Sequence, residues 1–473
     1  MQDRTTLLGR WLHSWIRPDG SINGFNNHSV WGGNPYRWID FHAGHSTWSS
    51  PLLPALAGAL NAFPDKAAAE LLDRMCAFQA SSLQESGQYR FIGFESGETS
   101  RNALIHNAIT NVALAMTVRD GRQWLSEQTV ERIRTVFLSN LQACLHFSGG
   151  RAGETTTCNQ EYARIWSKLL YREAYGDTSR DDELVEDLDY MIAHFHTRGT
   201  PDGESGGTLR YLGDAEALEP AEYYGLMIAP LTLAARIFGN KRYADEAKAI
   251  ALHVARSAWT DEAGQKRFHR LWYRRDNRWF LMKEPMLVAG MGLTLYGIHQ
   301  YLQLDRVAEL EQFLADCDRT YAHYQTEGGY FVSASGWNHE ANVAPSTSWH
   351  THDLLYLLAR HGAPANFWDE WNKPVARTVL LGDDAIWIEN GEHWSIGDYY
   401  WQDIYGLLGK KTAPVFYRNI PAWTMSDKVP PADFAFPDKP VFLKTEDGIY
   451  LRSRHELPYA IVSACGKPYL GEG

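Results

Sequence analysis

Cysteine is scarce in this chain of 473 residues. The five cysteines lie far apart and show no CxxC spacing: Cys76, Cys144, Cys158, Cys317 and Cys465. An odd number of widely separated thiols argues against a disulfide framework and against a zinc-finger type of site. The pattern is typical of free thiols in a reducing compartment.

The chain also lacks long apolar runs and basic stretches. No run of about 18 apolar residues occurs, so we expect no membrane span. The first residues, MQDRTTLLGRWLHSW, contain neither an apolar core nor a small-residue cleavage site of a signal peptide. With a net charge of −12 and no basic stripe, nucleic acid and anionic membranes are not expected partners. We expect a cytoplasmic protein, or a periplasmic or secreted one if a signal peptide has been removed, with its oligomeric state left open.

Several motifs of well-known enzyme classes are missing. The sequence contains no Gly-rich phosphate loop, no GxSxG turn, no dinucleotide-binding fingerprint and no HExxH. These absences argue against P-loop, α/β-hydrolase, nicotinamide-dependent and HExxH zinc enzymes. We therefore predict no cofactor.

Aromatic residues, in contrast, are abundant. They make up 13% of the chain, with Trp 18, Tyr 24 and Phe 19. Aromatic side chains fill cores, and they also line clefts that bind sugars and flat ligands. Residues 20–50 combine Trp, His, Asn and Gly, which predicts a long ordered loop. In this loop, His28 and Trp31 are predicted to contact substrate.

Most of the chain has the apolar periodicity of helices. Roughly a dozen helices are predicted, joined by connections that alternate between short and long. Helical hairpins arranged in a ring would place all long connections on one face. The pattern favours a mainly α protein with an (α/α)6-type toroid, complete or incomplete, over a solenoid, because no fixed sequence repeat occurs. We assign residues 1–425 to the toroid and 426–473 to a short β segment with a hairpin at Asp447-Gly448.

The stretch 336–362, GWNHEANVAPSTSWHTHDLLYLLARHG, begins as a polar loop and ends as a helix. His350 and Asp353 are three residues apart and share a helical face, and we predict both to be catalytic. Trp337, His339 and Trp349 are predicted to bind substrate. A metal bound by His339, His350 and Asp353 is the alternative, but without a ligand signature we predict no metal.

Other helix starts also carry reactive groups. Catalytic roles are predicted for Glu219, Glu222 and Tyr223 in LEPAEYY, for Glu161 in NQEY, and for His106 in SRNALIHNAITN; substrate contacts are predicted for Tyr224, Arg101 and Asn107. Paired carboxylates suit the acid and base roles of glycoside cleavage, and tyrosine can transfer protons. Each group also has a structural alternative, because a Glu in the first turn stabilises the helix dipole and buried amides form core networks.

A basic and aromatic block, residues 266–284, is predicted to form a hairpin around Asp276-Asn277. Arg274 in this block is predicted to contact a carboxylate-bearing substrate. The alternative is a solvated hairpin without a binding role.

Three segments carry a resemblance to known families. PSTSWHTHDLLYLLARHGAPANFW (345–368) and LRSRHELPYAIVSACGKP (451–468) resemble toroidal glycoside hydrolases of the β-glucuronidase type. DGESGG and EPAEYYG, within 202–225, are similar both to these and to heparinase-type polysaccharide lyases. The resemblance implies cleavage of glycosidic bonds in an oligo- or polysaccharide that contains uronic acid.

The two families imply different chemistry. A hydrolase would use carboxylates from the set Glu161, Glu219, Glu222 and Asp353. A lyase would use Asn107 and His106 near the uronate and Tyr223 or Tyr224 for proton transfer. We favour the hydrolase, with the lyase as the alternative, and a non-catalytic sugar-binding helical protein as a third possibility.

Overall fold

The computed structural model describes residues 2–13, 16, 19–20, 22–26, 40–44, 49–89, 104–145, 157–197, 207–209, 218–260, 264–268, 271–275, 278–282, 291–325, 329, 331, 347–373 and seven short strands between 379 and 462. Among these residues, no helix is both long enough and apolar enough to cross a lipid bilayer.

Thirteen α-helices occur in the described part of the chain. They are α1 (Gln2–His13), α2 (Leu52–Ala62), α3 (Lys66–Ala80), α4 (Leu104–Gly121), α5 (Glu127–Asn140), α6 (Cys158–Tyr175), α7 (Asp181–Phe195), α8 (Gly225–Phe238), α9 (Lys241–Ser257), α10 (Gly292–Leu302), α11 (Ala308–Tyr324), α12 (Thr347–His361) and α13 (Phe367–Trp371).

Six of these helices form a closed inner ring. Helices α2, α4, α6, α8, α10 and α12 each pack against the next, and α12 packs back against α2. Helices α3, α5, α7, α9 and α11 form the outer layer, together with α1 and α13, which pack on each other beside α12. This arrangement confirms the predicted (α/α)6 toroid and shows a complete ring, which is incompatible with an open solenoid.

Burial explains which helices lie inside. Every residue of α4 from Ile105 to Val118 is buried, so this helix is surrounded on all sides. The outer helix α9 instead buries one stripe, Tyr243, Ala247, Ile250, Ala251 and Val254, at helical spacing. A helix that is apolar all round packs inside, whereas an amphipathic helix covers it.

Connection length also alternates as predicted. Each inner helix is joined to the following outer helix by two to five residues, and each outer helix to the next inner helix by 17 to 38 residues. The short turns are encoded locally. Asp65 caps α3 by accepting a hydrogen bond from the Ala68 N–H at 2.8 Å, and Ser126 caps α5 by accepting one from the Thr129 N–H. Gly176 and Gly239 end α6 and α8 with positive φ.

Glycines allow the inner helices to approach closely. A Cβ atom on Gly225 would lie 1.9 Å from the Leu293 carbonyl oxygen of α10, and one on Gly292 would lie 2.2 Å from the His352 carbonyl carbon of α12. These contacts are with backbone, which cannot rotate away. Gly225 and Gly292 therefore set the spacing of α8, α10 and α12.

Gly292→Ala is expected to destabilise the protein by about 3 kcal/mol, because the added methyl group overpacks a backbone contact. Gly58→Ala in α2 is the matched control. No atom lies within 4 Å of a Cβ at Gly58, so alanine should stabilise the helix by about 1 kcal/mol. Urea unfolding midpoints of both variants measure the difference. Equal midpoints would show that the ring spacing does not depend on Gly292.

The strands are short and antiparallel. Eight lie between helices: β1 (Ile22–Asn26), β2 (Asp40–Gly44), β3 (His196–Thr197), β4 (Thr208–Leu209), β5 (Trp259–Thr260), β6 (Lys266–Arg267), β7 (Leu271–Arg275) and β8 (Arg278–Met282). The pairs are β1 with β2, β3 with β4, β5 with β6 and β7 with β8. The β7–β8 pair is the hairpin predicted around Asp276-Asn277.

The C-terminal region also contains strands. They are β9 (Val379–Leu381), β10 (Ala385–Ile388), β11 (Glu392–Ser395), β12 (Thr424–Ser426), β13 (Phe442–Thr445), β14 (Gly448–Arg452) and β15 (Pro458–Val462). Thr445 pairs with Gly448, as expected for the hairpin at Asp447-Gly448. Three of the strands precede residue 425, and the division of the chain at that residue stays a prediction.

Candidate functional site

The inner helices run in the same direction. Four of them line one common cavity, mostly with residues of their C-terminal halves such as Met116, Arg119, Gln300 and Ala359. The first residues of all six, Leu52, Leu104, Cys158, Gly225, Gly292 and Thr347, therefore meet at the opposite end of the ring, which we call the N-terminal end. The long connections lead into this end. It is the site that the sequence predicts.

Part of the predicted site belongs to these connections. His28, Trp31, Arg101, Trp337 and His339 lie outside the described residues. Arg274 lies in β7 and Trp349 in the first turn of α12, but their side chains are outside the description as well. Their substrate-binding roles stay predictions.

Two buried carboxyl groups lie at the N-terminal end. Glu219 precedes the 3-10 turn Ala221–Tyr223, which leads directly into α8 and contains Glu222. Both side chains are almost fully buried. The Asn159 side chain, at the start of α6, donates a hydrogen bond of 2.6 Å to Glu219 Oε1, and the Glu219 N–H donates to the Leu209 carbonyl at 2.8 Å. The pair is thus fixed between α6 and α8.

A threonine of α10 holds the turn that carries these carboxyl groups. Thr294 Oγ1 donates to the Ala221 carbonyl at 2.8 Å and accepts a hydrogen bond from the Gly225 N–H at 3.2 Å. The close approach at Gly225 brings the two helices near enough for this contact. The backbone on both sides of Glu222 is therefore constrained by α10.

The surroundings of Glu219 favour its protonated form. Burial raises the pKa of its carboxyl group well above the ordinary value, and the nearby Glu222 carboxylate adds to this, although the hydrogen bond from Asn159 opposes it. Two carboxyl groups this close do not both ionise readily. Burial therefore favours the protonated form of Glu219.

The raised pKa predicts a pH-dependent stability difference between the wild type and Glu219→Gln. A carboxyl group with a raised folded-state pKa contributes stability below the unfolded-state pKa, and this is lost as pH rises towards the folded-state pKa. The melting temperature of the wild type should therefore fall relative to that of the variant between about pH 5 and about pH 8. Thermal unfolding at several pH values measures this. A constant difference would contradict a protonated Glu219.

The two tyrosines after this pair differ. Tyr224 is buried, and its ring meets His253 of α9 edge to face at 5.6 Å between centroids. Burial raises the pKa of the Tyr224 hydroxyl well above its ordinary value, with Glu219 adding to the effect. Tyr223 is half-buried. A phenol with a raised pKa stays neutral and is a poor base, so Tyr224 does not suit the proton abstraction of a lyase.

Helical phase relates these groups to the interior of the ring. Ala229 of α8 and Trp166 of α6 line a small cavity inside the ring. Steps of three or four residues towards the N-terminus lead from Ala229 through Gly225 to Glu222, and from Trp166 to Asn159. Asn159 thus continues the interior face of α6, and Glu222 lies in the turn that leads into α8.

Glu161 faces the other way. Glu161 follows Asn159 by two residues, and each residue of an α-helix turns by about 100°, so the two side chains lie about 200° apart around α6. Arg164 Nε donates to Glu161 Oε2 at 2.6 Å, and Arg164 Nη1 donates to Asp187 Oδ2 of α7 at 2.8 Å. Burial raises the Glu161 pKa, although Arg164 opposes this. Glu161 therefore belongs to a buried ion cluster between α6 and α7.

His350 and Asp353 share a face, as their spacing predicts, but this face contacts the outer layer. The Phe331 N–H lies 2.9 Å from His350 Nε2, and the imidazole packs on Trp11 of α1 at 5.0 Å between ring centroids. Asp353 accepts a hydrogen bond from the Tyr321 hydroxyl of α11. The structure thus places both residues between α12 and its outer neighbours, away from Glu219 and Glu222.

Asn107 takes part in an amide network behind α4. Its Oδ1 accepts hydrogen bonds from the Tyr89 N–H at 2.9 Å and from Asn140 Nδ2 of α5 at 2.8 Å. Asn111 Nδ2 donates to Asn140 Oδ1 at 2.7 Å. These bonds form a core network of buried amides, which is the structural alternative to the predicted substrate contact by Asn107. His106, one residue earlier, is buried in the first turn of α4.

In the described part of the chain, no three His, Cys, Asp or Glu side chains converge in a way that would hold a metal ion. The carboxyl pair with Asn159 offers acid and base groups instead. Asn159 lies in the NQEY segment, where the sequence favoured Glu161. The sequence could have distinguished Asn159 from Glu161 by their positions around α6, because two residues on different sides of a helix cannot both face Glu219.

No protein-family model matches the chain, and no curated protein matches its sequence. Comparison with solved structures shows that it is similar in fold to (α/α)6 toroids of carbohydrate-active enzymes. The α-1,6-mannanase GH76A of Salegentibacter sp. HEL1_6, an inactive double-aspartate variant in complex with alpha-1,6-mannotetrose, aligns at 12% identity with a TM-score of 0.52, over 76% of this chain and 98% of the mannanase.

Two further structures have other activities. A sugar epimerase from a ruminal bacterium aligns at 13% identity with a TM-score of 0.52, over 76% of this chain and 98% of its own. The unsaturated glucuronyl hydrolase of Bacillus sp. GL1 aligns at 14% identity with a TM-score of 0.50, over 79% of this chain and 100% of its own. At these identities the likeness shows the toroidal fold and leaves the reaction open.

Proposed function

We propose that this protein is a glycoside hydrolase and that Glu219 and Glu222 are its acid and base. The observation that carries the proposal is the buried carboxyl pair at the N-terminal end of the ring, in which burial raises the pKa of Glu219. Glycoside hydrolysis uses one protonated and one ionised carboxyl group, and the raised pKa makes Glu219 the candidate acid, which leaves the base role to Glu222.

The hydrogen bonds of Glu219 assign its proton to one oxygen. Asn159 donates to Oε1, so this oxygen is an acceptor, and Oε2 has no hydrogen-bond partner among the described residues. The proton on Oε2 would be transferred to the glycosidic oxygen of the leaving group. Glu222 would then activate water or attack the anomeric carbon, depending on the distance at which the substrate holds the two groups.

The neighbours support paired acidic residues and a sugar substrate. The mannanase is inactive when two adjacent aspartates are replaced. The glucuronyl hydrolase takes part in the degradation of glycosaminoglycan. Together with the resemblance of residues 345–368 and 451–468 to β-glucuronidase-type enzymes, this favours an oligosaccharide that contains uronic acid. Trp31, Trp337 and Trp349 would stack on its rings, and His28, Arg101, His339 and Arg274 would contact its polar groups.

The lyase alternative has weaker support. None of the three solved structures named above is a lyase. Among the groups assigned to a lyase, Asn107 binds the backbone of Tyr89, and Tyr224 has a pKa that is raised by burial. The first observation disfavours Asn107 as a contact to a uronate, and the second disfavours proton abstraction by Tyr224.

Incubation with unsaturated glucuronyl disaccharides, a uronate polysaccharide, α-1,6-mannotetraose and cellobiose, followed by mass spectrometry, tests the proposal. Hydrolysis adds one water to the products and supports it. Products with a conjugated double bond and no added water would indicate a lyase. A product of unchanged mass but altered chromatographic mobility would indicate an epimerase. Binding without any product would indicate a sugar-binding protein. Each of the last three results contradicts the proposal.

A further inference from the structure

A second cavity lies at the opposite end of the ring from Glu219 and Glu222. Its volume is about 380 Å³, and residues of α2, α4, α10 and α12 line it, mostly from the C-terminal halves of these helices. Along α4, Arg119 at this cavity is thirteen residues from His106 at the N-terminal end, which corresponds to about 20 Å. We call it the C-terminal cavity. Pockets that bind small ligands have volumes of about 300–1,000 Å³.

The charges around the C-terminal cavity cancel. Arg119 donates to both carboxylate oxygens of Asp120, from Nε at 2.6 Å and from Nη2 at 2.7 Å, and Nη1 donates to Glu173 at 3.3 Å. Arg236 also donates to Glu173. Burial lowers the pKa of His299, with Arg360 adding to the effect, so its imidazole is neutral at pH 7. A charged ligand would find no uncompensated partner here and would lose its hydration.

Neutral hydrogen-bonding groups remain available in the wall of the cavity. The side-chain amides of Gln300 and Gln303 make no hydrogen bond to another described residue. Each amide both donates and accepts, as a hydroxyl group does. The Tyr296 ring adds an aromatic face beside them. Amides and an aromatic face suit a polyhydroxylated ligand.

A glycine keeps the cavity open. Gly58 lies in the middle of α2 on the cavity wall, and no atom lies within 4 Å of a Cβ placed on it. Glycine in a helix interior costs about 1 kcal/mol relative to alanine. Gly225 and Gly292 compensate for this cost by close helix packing, whereas Gly58 makes no such contact. The visible effect of Gly58 is the space that it leaves.

We propose that the C-terminal cavity binds an uncharged polyhydroxylated molecule of mono- or disaccharide size, as a site separate from the carboxyl pair. The volume sets the size, the cancelled charges select a neutral ligand, and Gln300 and Gln303 provide its hydrogen bonds. The proposal does not depend on the reaction at Glu219 and Glu222.

The test uses the full chain labelled with ¹³C at the methionine methyl groups. Met116 lines the C-terminal cavity, and its resonance is assigned with Met116→Leu. D-Glucose and cellobiose are the neutral probes, and D-glucuronate is the charged counterpart of glucose. The Met116 resonance should shift saturably with at least one neutral probe, with a Kd in the range of about 1–10 mM. D-Glucuronate should bind at least about tenfold more weakly, which is 1.4 kcal/mol.

Two variants of one residue provide the control. Gly58→Leu fills the cavity and should weaken binding at least about tenfold, which is 1.4 kcal/mol, while Gly58→Ala leaves most of the space and should bind like the wild type. Both replace glycine by better helix formers, so we expect both to fold, and thermal unfolding checks this. No Met116 shift up to about 100 mM of either neutral probe would overturn the proposal. So would equal binding of glucuronate, or unchanged binding in Gly58→Leu.

Discussion

Glu219→Gln is expected to lower kcat by about 10³-fold on the substrate that the panel identifies, while the protein stays folded. Burial keeps the wild-type carboxyl group protonated, and a glutamine amide has nearly the same shape and the same charge as a protonated carboxyl. The amide oxygen can still accept the hydrogen bond from Asn159. What is lost is the proton that would be transferred to the leaving group.

Steady-state kinetics and circular dichroism of the same samples measure this effect. Glu161→Gln is the control, because Glu161 is also a buried glutamate of the N-terminal end with a raised pKa. It pairs with Arg164 on the outward face of α6, so its loss should lower stability and leave kcat of the folded protein within about threefold. Full activity of Glu219→Gln, or a larger kcat loss in Glu161→Gln, would contradict the assignment of the acid.

Arg164→Met is expected to lower the free energy of unfolding by about 3–5 kcal/mol. The Arg164 guanidinium is almost completely buried, and it joins Glu161 to Asp187 of α7. Lys168 extends the cluster through Glu183 at 2.5 Å. Without Arg164, the two buried carboxyl groups lose the cation that compensates them. One of them must then be protonated or remain as an unpaired charge.

Arg256→Met gives the matched comparison. Arg256 also bridges two helices, with Glu309 of α11 at 2.8 Å, but its side chain is 49% exposed. An exposed ion pair contributes about 0–1 kcal/mol, so this variant should unfold at nearly the wild-type urea concentration. Equal destabilisation by the two substitutions would show that burial of the α6–α7 cluster does not determine its contribution.

Local signals of the sequence predict much of the fold. The caps at Asp65 and Ser126 and the turns at Gly176 and Gly239 depend on residues within a few positions, and so do the hairpins of the β regions. The alternation of short and long connections then determines that the helices form two layers. The closure of the ring depends on contacts between α2 and α12, which are almost 300 residues apart, and only the structure shows it.

The candidate site is harder to predict, because its residues are distinguished by helical phase. Helix α4 is buried on all sides, so its sequence does not show which side faces the interior. Asn107 therefore resembles a substrate contact until its bond with Asn140 is known. The same holds for His350 and Asp353, whose partners Trp11 and Tyr321 lie on other helices. Glu219 and Glu222 are the predicted carboxyl groups that lie together at the N-terminal end.

A crystal structure of Glu219→Gln with the bound oligosaccharide substrate tests the central assignment most directly. We expect the glycosidic oxygen to lie about 3 Å from the side chain at position 219, with Glu222 on the side of the anomeric carbon. A sugar bound out of reach of both positions would contradict the proposal that this carboxyl pair cleaves the bond.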